Sequence, residues 1–362
     1  MPTGNVLLTI LEFIIALGLL AFFHELGHFL IAKLFKIEIL EFGFGFPPRI
    51  LKLFKIRETQ FSLNAIPFGA FVLPKGENDP TIEGGMAAAK PGVRLAVLLG
   101  GPLMNLLIGA ILFAFVFMRT GLPDTTKVEI IEVAADSPAA AAGILPGDLV
   151  TAINGQTVDS MTTLSAIVRE NLGTEVEIAL LRGEQALTVR ATPRENPPEG
   201  QGALGIIMGN PIRPAASFLQ ALPLAGQQML NLSRELLTLP VRLIQGAVPR
   251  DQARFVSPIG IYSIFQQVRD ADAEQTAANP ENANVTTFYF LGTLSIALGV
   301  TNLLPIPALD GGRIILLLPE LLFRRRINPK YENMVNLLGF TALLALMFIL
   351  AINDIVNPVV LP

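Results

Sequence analysis

Cysteine is absent from this chain of 362 residues, histidine occurs only twice, and only 15% of residues are charged. Without cysteine there are no disulfides and no thiolate zinc sites, so any metal must be held by His, Asp or Glu. No Lys or Arg precedes Lys33, so the first apolar run lacks the positive n-region of a cleavable signal peptide and is expected to remain as a true span. The net charge of -4, with no basic stripe, excludes the usual signature of nucleic-acid binding. What remains is apolar: 51% of residues are hydrophobic and mean hydropathy is +0.55, the composition of an integral membrane protein.

The two histidines stand four residues apart, in His24-Glu25-Leu26-Gly27-His28. Four residues on an α-helix turn through about 400°, so both imidazoles leave one face, roughly 6 Å apart along the axis, and can grip one ion. Glu25 lies beside them, where it can take a proton from an attacking water. The motif falls within the apolar run 6–35, long enough to cross a bilayer, where polar groups are costly and mark function.

Four spans are expected, at 6–35, 95–118, 288–304 and 335–352. Basic residues crowd the loop after the first (Lys33, Lys36, Arg49, Lys52, Lys55, Arg57, Lys75, Lys90, Arg94) and recur at Arg324, Arg325, Arg326 and Lys330. The positive-inside rule places both clusters in the cytoplasm and both termini outside. About 18 residues at 1.5 Å each carry the chain roughly 27 Å from Val6 to His24, near the cytoplasmic end of that span.

The loop 37–93 is not helical in pattern. Phe42-Gly43-Phe44-Gly45-Phe46-Pro47-Pro48 and Phe61 to Gly69 read as short β-hairpins, either dipping into the bilayer, with an edge open to an extended peptide, or forming an ordinary cytoplasmic β-loop. In the second span Gly100-Gly101-Pro102-Leu103-Met104-Asn105 combines small residues with one amide. Asn105 faces the active site or substrate, or bonds a neighbouring helix at a packing kink.

Between 125 and 210 the chain turns soluble in character. Lys127 to Ile131 and Val176 to Leu181 alternate as strands, and Ser137-Pro138-Ala139, Gly143 to Asp148 and Ile153-Asn154-Gly155 resemble a bacterial PDZ domain, with Gly202 to Ile206 as a closing strand. Such domains typically capture peptide ends by strand addition. The stretch 211–285, broken by Pro223, Pro240, Pro249 and Pro258, reads as amphipathic helices at the outer interface; a span between Leu219 and Val248 would instead invert the C-terminal topology.

A catalytic zinc commonly takes three protein ligands. With two histidines in hand a carboxylate must complete the set, and Asp310, in Asn302 to Gly312 at the cytoplasmic end of the third span, is the best candidate. Glu12 lies about 18 Å from His24 along the same helix and cannot reach.

Taken together, these elements resemble the site-2 protease family of intramembrane zinc metalloproteases, in its bacterial form with a PDZ domain between the second and third spans. The resemblance runs through the histidine motif, Gly43-Phe44-Gly45, Ile66 to Gly69, Gly100-Gly101-Pro102 with Asn105, Ser257-Pro258-Ile259-Gly260 and Asn302 to Gly312. It implies a multi-pass α-helical membrane protein of the bacterial plasma membrane, with four transmembrane helices, a membrane-associated β-hairpin loop and an inserted extracytoplasmic PDZ domain. The expected divisions are 1–36, 37–93, 94–119, 125–210, 211–285, 286–323 and 333–353. It further implies that His24, His28 and Asp310 hold Zn2+, that Glu25 is the catalytic base, and that Asn302 and Asn105 help position substrate. Single-pass membrane proteins such as anti-sigma factors, or remnant signal peptides, are the implied substrates, with peptide termini as partners of the PDZ domain. Ala70 departs from the family, standing where a second glycine is frequent. Two other readings compete: a PDZ-bearing membrane scaffold or chaperone with a structural metal site, and a metal transporter. A structural zinc is normally closed by four protein ligands, and a transporter has no need of Glu25 beside His24.

Overall fold

The structure is a computed structural model and describes residues 6–198, 200–214, 217–246, 255–278, 280 and 283–359. The chain divides into two compact units, Met1–Arg119 with Ser217–Pro362, and Thr120–Ala216.

The first unit begins with α1 (Val6–Leu34), β1 (Ile39–Ile56), β2 (Thr59–Pro74) and α2 (Pro91–Thr120). α1 and α2 approach through glycine. A Cβ on Gly27 would fall 2.7 Å from the Gly100 carbonyl carbon, and one on Gly100 would fall 2.7 Å from the Gly27 oxygen. Small residues at such a crossing let two backbones touch, as apolar helices require when no hydrophobic drive joins them in lipid.

β1 and β2 are longer than the short hairpins expected, and both fold back on themselves. Glu41 to Phe44 stand opposite Leu73 to Ala70 on one side and opposite Gln60 to Leu63 on the other, while Leu51 to Ile56 pair with Leu63 to Thr59. The ribbons therefore lie in the order 70–74, 39–44, 60–63, 51–56, and 70–74 has no strand on its outer side among the described residues. The Phe-Gly alternation now has a cause, since side chains alternate across a strand. Phe42 and Phe44 project to one face and meet Phe22 and Phe29 of α1, with Phe61 stacked on Phe42. Gly43 leaves room on the other face for the Phe71 ring.

The second unit is an insertion whose ends are pinned by β3 (Leu122–Pro123) pairing with β10 (Ile212–Arg213). Its main sheet runs β8-β7-β5-β4-β9, built from β4 (Val128–Val133), β5 (Leu149–Ile153), β7 (Val176–Arg182), β8 (Gln185–Ala191) and β9 (Ile206–Gly209), with β6 (Gln156–Thr157) beside β5. Helices α3 (Pro138–Ala141) and α4 (Met161–Glu170) complete the unit. Val176, Ile178 and Leu180 point inward on alternate positions, joining Val128, Ile130 and Leu164 in one core. The closing strand begins at Ile206, later than expected. Gly205 sits at φ +72°, a left-handed conformation that ends extended pairing, so 202–205 is the turn leading into it.

The first unit resumes with α5 (Phe218–Ile244), α6 (Pro258–Ala278), α7 (Val285–Leu303), α8 (Asp310–Phe323) and α9 (Pro329–Val356). α5 continues through Pro223 and Pro240, each of which omits one backbone N–H bond; Pro249 lies outside the described residues. The expected segment 286–323 is two helices, because Pro305 and Pro307 deny donors to the turn and Ala308 takes φ +78°. Buried polar groups fasten this second half. Asp354 of α9 accepts from the backbone N–H and hydroxyl of Ser257, both 2.7 Å, at the start of α6. Asp272 of α6 accepts from the N–H groups of Thr286 and Thr287 in the first turn of α7. Arg94 of α2 pairs with Glu320 of α8 at 2.7 Å, and Glu12, which sequence left alone in the apolar run, pairs with Arg269 of α6 at 3.1 Å. Among the described residues four helices, α1, α2, α7 and α9, are long and apolar enough to cross a membrane, and the most apolar window of α9 contains no buried residue.

Asp148 is fully buried in the inserted unit and accepts from Arg182 Nε at 2.7 Å, Arg182 Nη2 at 2.8 Å and the Leu145 N–H at 2.9 Å. The guanidinium holds its carboxyl below the usual aspartate range. A depressed folded value stabilises the unit above about pH 4, and that contribution fades as pH falls through the folded value. Asp148→Asn should cost about 1–3 kcal/mol, read as faster amide exchange in β4, β5 and β7 at pH 7, with the difference from the unaltered chain shrinking on acidification.

Candidate metal centre

α1 points its polar motif at the first turn of α8. His24 and His28 bring their Nε2 atoms to 3.2 Å from each other, with the rings nearly perpendicular at 80°. Asp310, the first residue of α8, places Oδ2 at 3.2 Å from His24 Nε2 and 3.4 Å from His28 Nε2. The break between α7 and α8 makes this possible, and it is tight enough that a Cβ on Gly311 would meet the Leu303 carbonyl carbon at 2.5 Å.

Two imidazole nitrogens and one carboxylate oxygen form a group able to hold a metal ion. Ligands about 2.0–2.1 Å from a tetrahedral ion are separated from one another by roughly 3.3–3.4 Å, close to the three distances found. The tautomer of His28 also fits. Its Nδ1 lies 2.7 Å from the Val97 carbonyl oxygen, which can only accept, so Nδ1 carries the hydrogen and Nε2 keeps its lone pair for a ligand bond. Space is kept open by α2: a Cβ on Gly101 would come 2.7 Å from His24 Nε2 and closer still to His28 Nε2.

Glu25 lines the same cavity, of about 520 Å³, and so does Val72. Val72 belongs to the edge segment 70–74, so the ribbon whose outer side is open borders the motif. Asn302, near the end of α7, also lines the cavity, with its Nδ2 donating to Leu298 O at 3.0 Å within its own helix. Asn105 is 1% exposed and meets His24 Nδ1 at 3.2 Å through its Nδ2. The structure thus brings all six singled-out residues to one cavity.

Sequence reasoning missed four contributors. Gly101 was noticed only as a small residue for packing, and Val72, on the cavity wall, leaves no residue-type signal. Arg313 and Glu77 pair at 2.7 Å on the cavity wall; Arg313 lies one helical turn after Asp310, a spacing that could have drawn attention to it, whereas Glu77 comes from a turn segment far away in sequence.

The chain matches peptidase family M50 over residues 12–346. It is 30% identical to a protein of Clostridium acetobutylicum that carries a zinc metalloprotease name, over 96% of this chain and 97% of that protein. It is 31% identical to a similarly named protein of Clostridium perfringens, over 96% and 98%. It is also 26% identical to the regulator of sigma-W protease RasP of Bacillus subtilis, over 96% and 98%. The chain belongs to peptidase family M50 and is a membrane metalloprotease.

Proposed function

We propose that this protein hydrolyses peptide bonds within membrane-spanning segments of other proteins, using a zinc ion held by His24, His28 and Asp310 with Glu25 as the base. The observation that carries the reading is the meeting of three ligand atoms, from residues 24, 28 and 310, beside a free carboxylate. A scaffold or a transporter gives no reason for that fourth group. Zinc held by these three residues would supply Lewis acidity, making a water easier to deprotonate and a carbonyl easier to attack. Glu25 takes a proton from the attacking water and passes it to the leaving amine.

A helical substrate hides its carbonyls in its own hydrogen bonds and must unwind before attack. The open side of segment 70–74 supports a reading in which the unwound substrate adds there as a strand, its backbone satisfied while it lies against Glu25. Asn302 lines the cavity where it can meet that substrate. The basic residues of 33–94 and 324–330 support placing the centre near the cytoplasmic face of a bacterial plasma membrane, with the inserted unit and the termini outside.

The inserted unit reads as a PDZ domain. A groove of about 300 Å³ lies between α4 and the turn and edge strand at β9, lined by Leu164, Val168, Leu172, Leu204, Ile206 and Met208, and it suits an extended peptide end. Outside the membrane, the unit would turn away substrates whose outer domains are untrimmed. Substrates then include single-pass regulators such as anti-sigma factors, in keeping with the sigma-W name of one relative.

Three outcomes follow. Glu25→Gln should retain zinc while cleavage of a reporter transmembrane peptide falls by about 10²–10⁴-fold; loss of both together, or of neither, contradicts the assignment. Gly101→Val, which fills the space between the imidazoles, should abolish zinc binding in the purified chain as judged by metal analysis. Deletion of 125–210 should admit untrimmed substrates, and unchanged selectivity in a reporter assay contradicts the filter.

A further inference from the structure

The amide of Asn105 has unequal ends. Its Nδ2 faces His24 Nδ1 at 3.2 Å, while its Oδ1 is buried with no hydrogen-bond partner among the described residues. An amide nitrogen only donates, so this arrangement makes His24 Nδ1 the acceptor and leaves the ring hydrogen on Nε2. Yet Nε2 is the atom directed at His28 Nε2 and Asp310 Oδ2, and a nitrogen bearing hydrogen cannot ligate. The two ends of an amide have the same shape, so a half-turn about χ2 exchanges them with no other displacement. The orphaned oxygen then accepts from His24 Nδ1–H, and Nε2 regains its lone pair.

Resting on the metal-centre reading above, we propose that Asn105 is a positioning residue: its side-chain oxygen accepts from His24 Nδ1–H and holds the ring in the tautomer that ligates through Nε2. The same helix does this for the second imidazole by a different group, the Val97 carbonyl at His28 Nδ1. α2 therefore orients both rings, once with backbone and once with a side chain, as outer acceptors do for ligating histidines in general. Asn105 is held to this task from behind, since its own carbonyl accepts from the Ser295 hydroxyl of α7 at 2.8 Å.

Because the chain holds only two histidines, ring-15N-labelled histidine gives four resolvable nitrogens in the full chain, purified in detergent on a tag without histidine. Zinc titration against a competing chelator, on the same samples, gives affinity. In the unaltered zinc-loaded chain both rings should carry hydrogen on Nδ1. Asn105→Leu should weaken zinc by about 10–100-fold and let the His24 ring of the metal-free chain populate the other tautomer, with His28 unmoved. Asn105→Asp, which keeps an acceptor oxygen in place, should bind zinc at least as tightly as the unaltered chain. If the leucine variant does not fold, the aspartate variant decides alone. Unchanged zinc affinity and unchanged His24 signals in Asn105→Leu would overturn the proposal, as would an aspartate variant that loses zinc. A leucine variant altered only in KM would instead assign Asn105 to substrate. Zinc that binds the unaltered chain nowhere near these rings would overturn the metal centre itself.

Discussion

Two imidazoles and a carboxylate converge inside an apolar helix bundle, and most of the architecture follows from making that convergence possible. Polar side chains within hydrocarbon are costly unless they find partners, and here each ligand atom lies 3.2–3.4 Å from the other two. The glycine contact of α1 with α2 brings the Val97 carbonyl and Asn105 within reach of the ring nitrogens. The broken turn between α7 and α8 lets Asp310 stand at a helix start and still reach α1.

A second constraint concerns backbone. A site that hydrolyses a peptide bond within a membrane segment must first offer unwound substrate a substitute for its lost hydrogen bonds. β1 and β2 meet this need by folding into four ribbons packed on α1 through phenylalanine rings, which leaves 70–74 as an edge beside Glu25. Val72 of that edge and Glu25 line one cavity, which sets edge and base side by side. The Arg313–Glu77 pair ties the turn segment beyond β2 to the helix that bears Asp310, linking both walls of the cavity.

Local chemistry was the part most legible from sequence. The four-residue spacing of His24 and His28 on one helix face is geometry that any α-helix imposes, and the absence of cysteine and of a third histidine left carboxylates as the remaining choice, with Asp310 placed by its prolines and glycines. Alternation announced Val176 to Leu181 as a strand for the same reason. Long-range consequences were harder to see. Whether 286–323 is one helix or two depends on how Pro305, Pro307 and Ala308 act together, and the start of β9 was set by the backbone of Gly205 rather than by the apolar run before it. Gly101 matters for what it leaves empty, and Val72 for its place on the cavity wall. Partners such as Glu12 with Arg269 arise only when α1 and α6 meet.

Zinc K-edge X-ray absorption of the purified chain tests the central claim most directly. The account predicts one zinc per chain with two imidazoles and oxygen in its inner shell at about 2.0–2.2 Å, and loss of that signature in Asp310→Ala. A zinc environment with fewer than two imidazoles, or one that Asp310→Ala leaves unchanged, would contradict it.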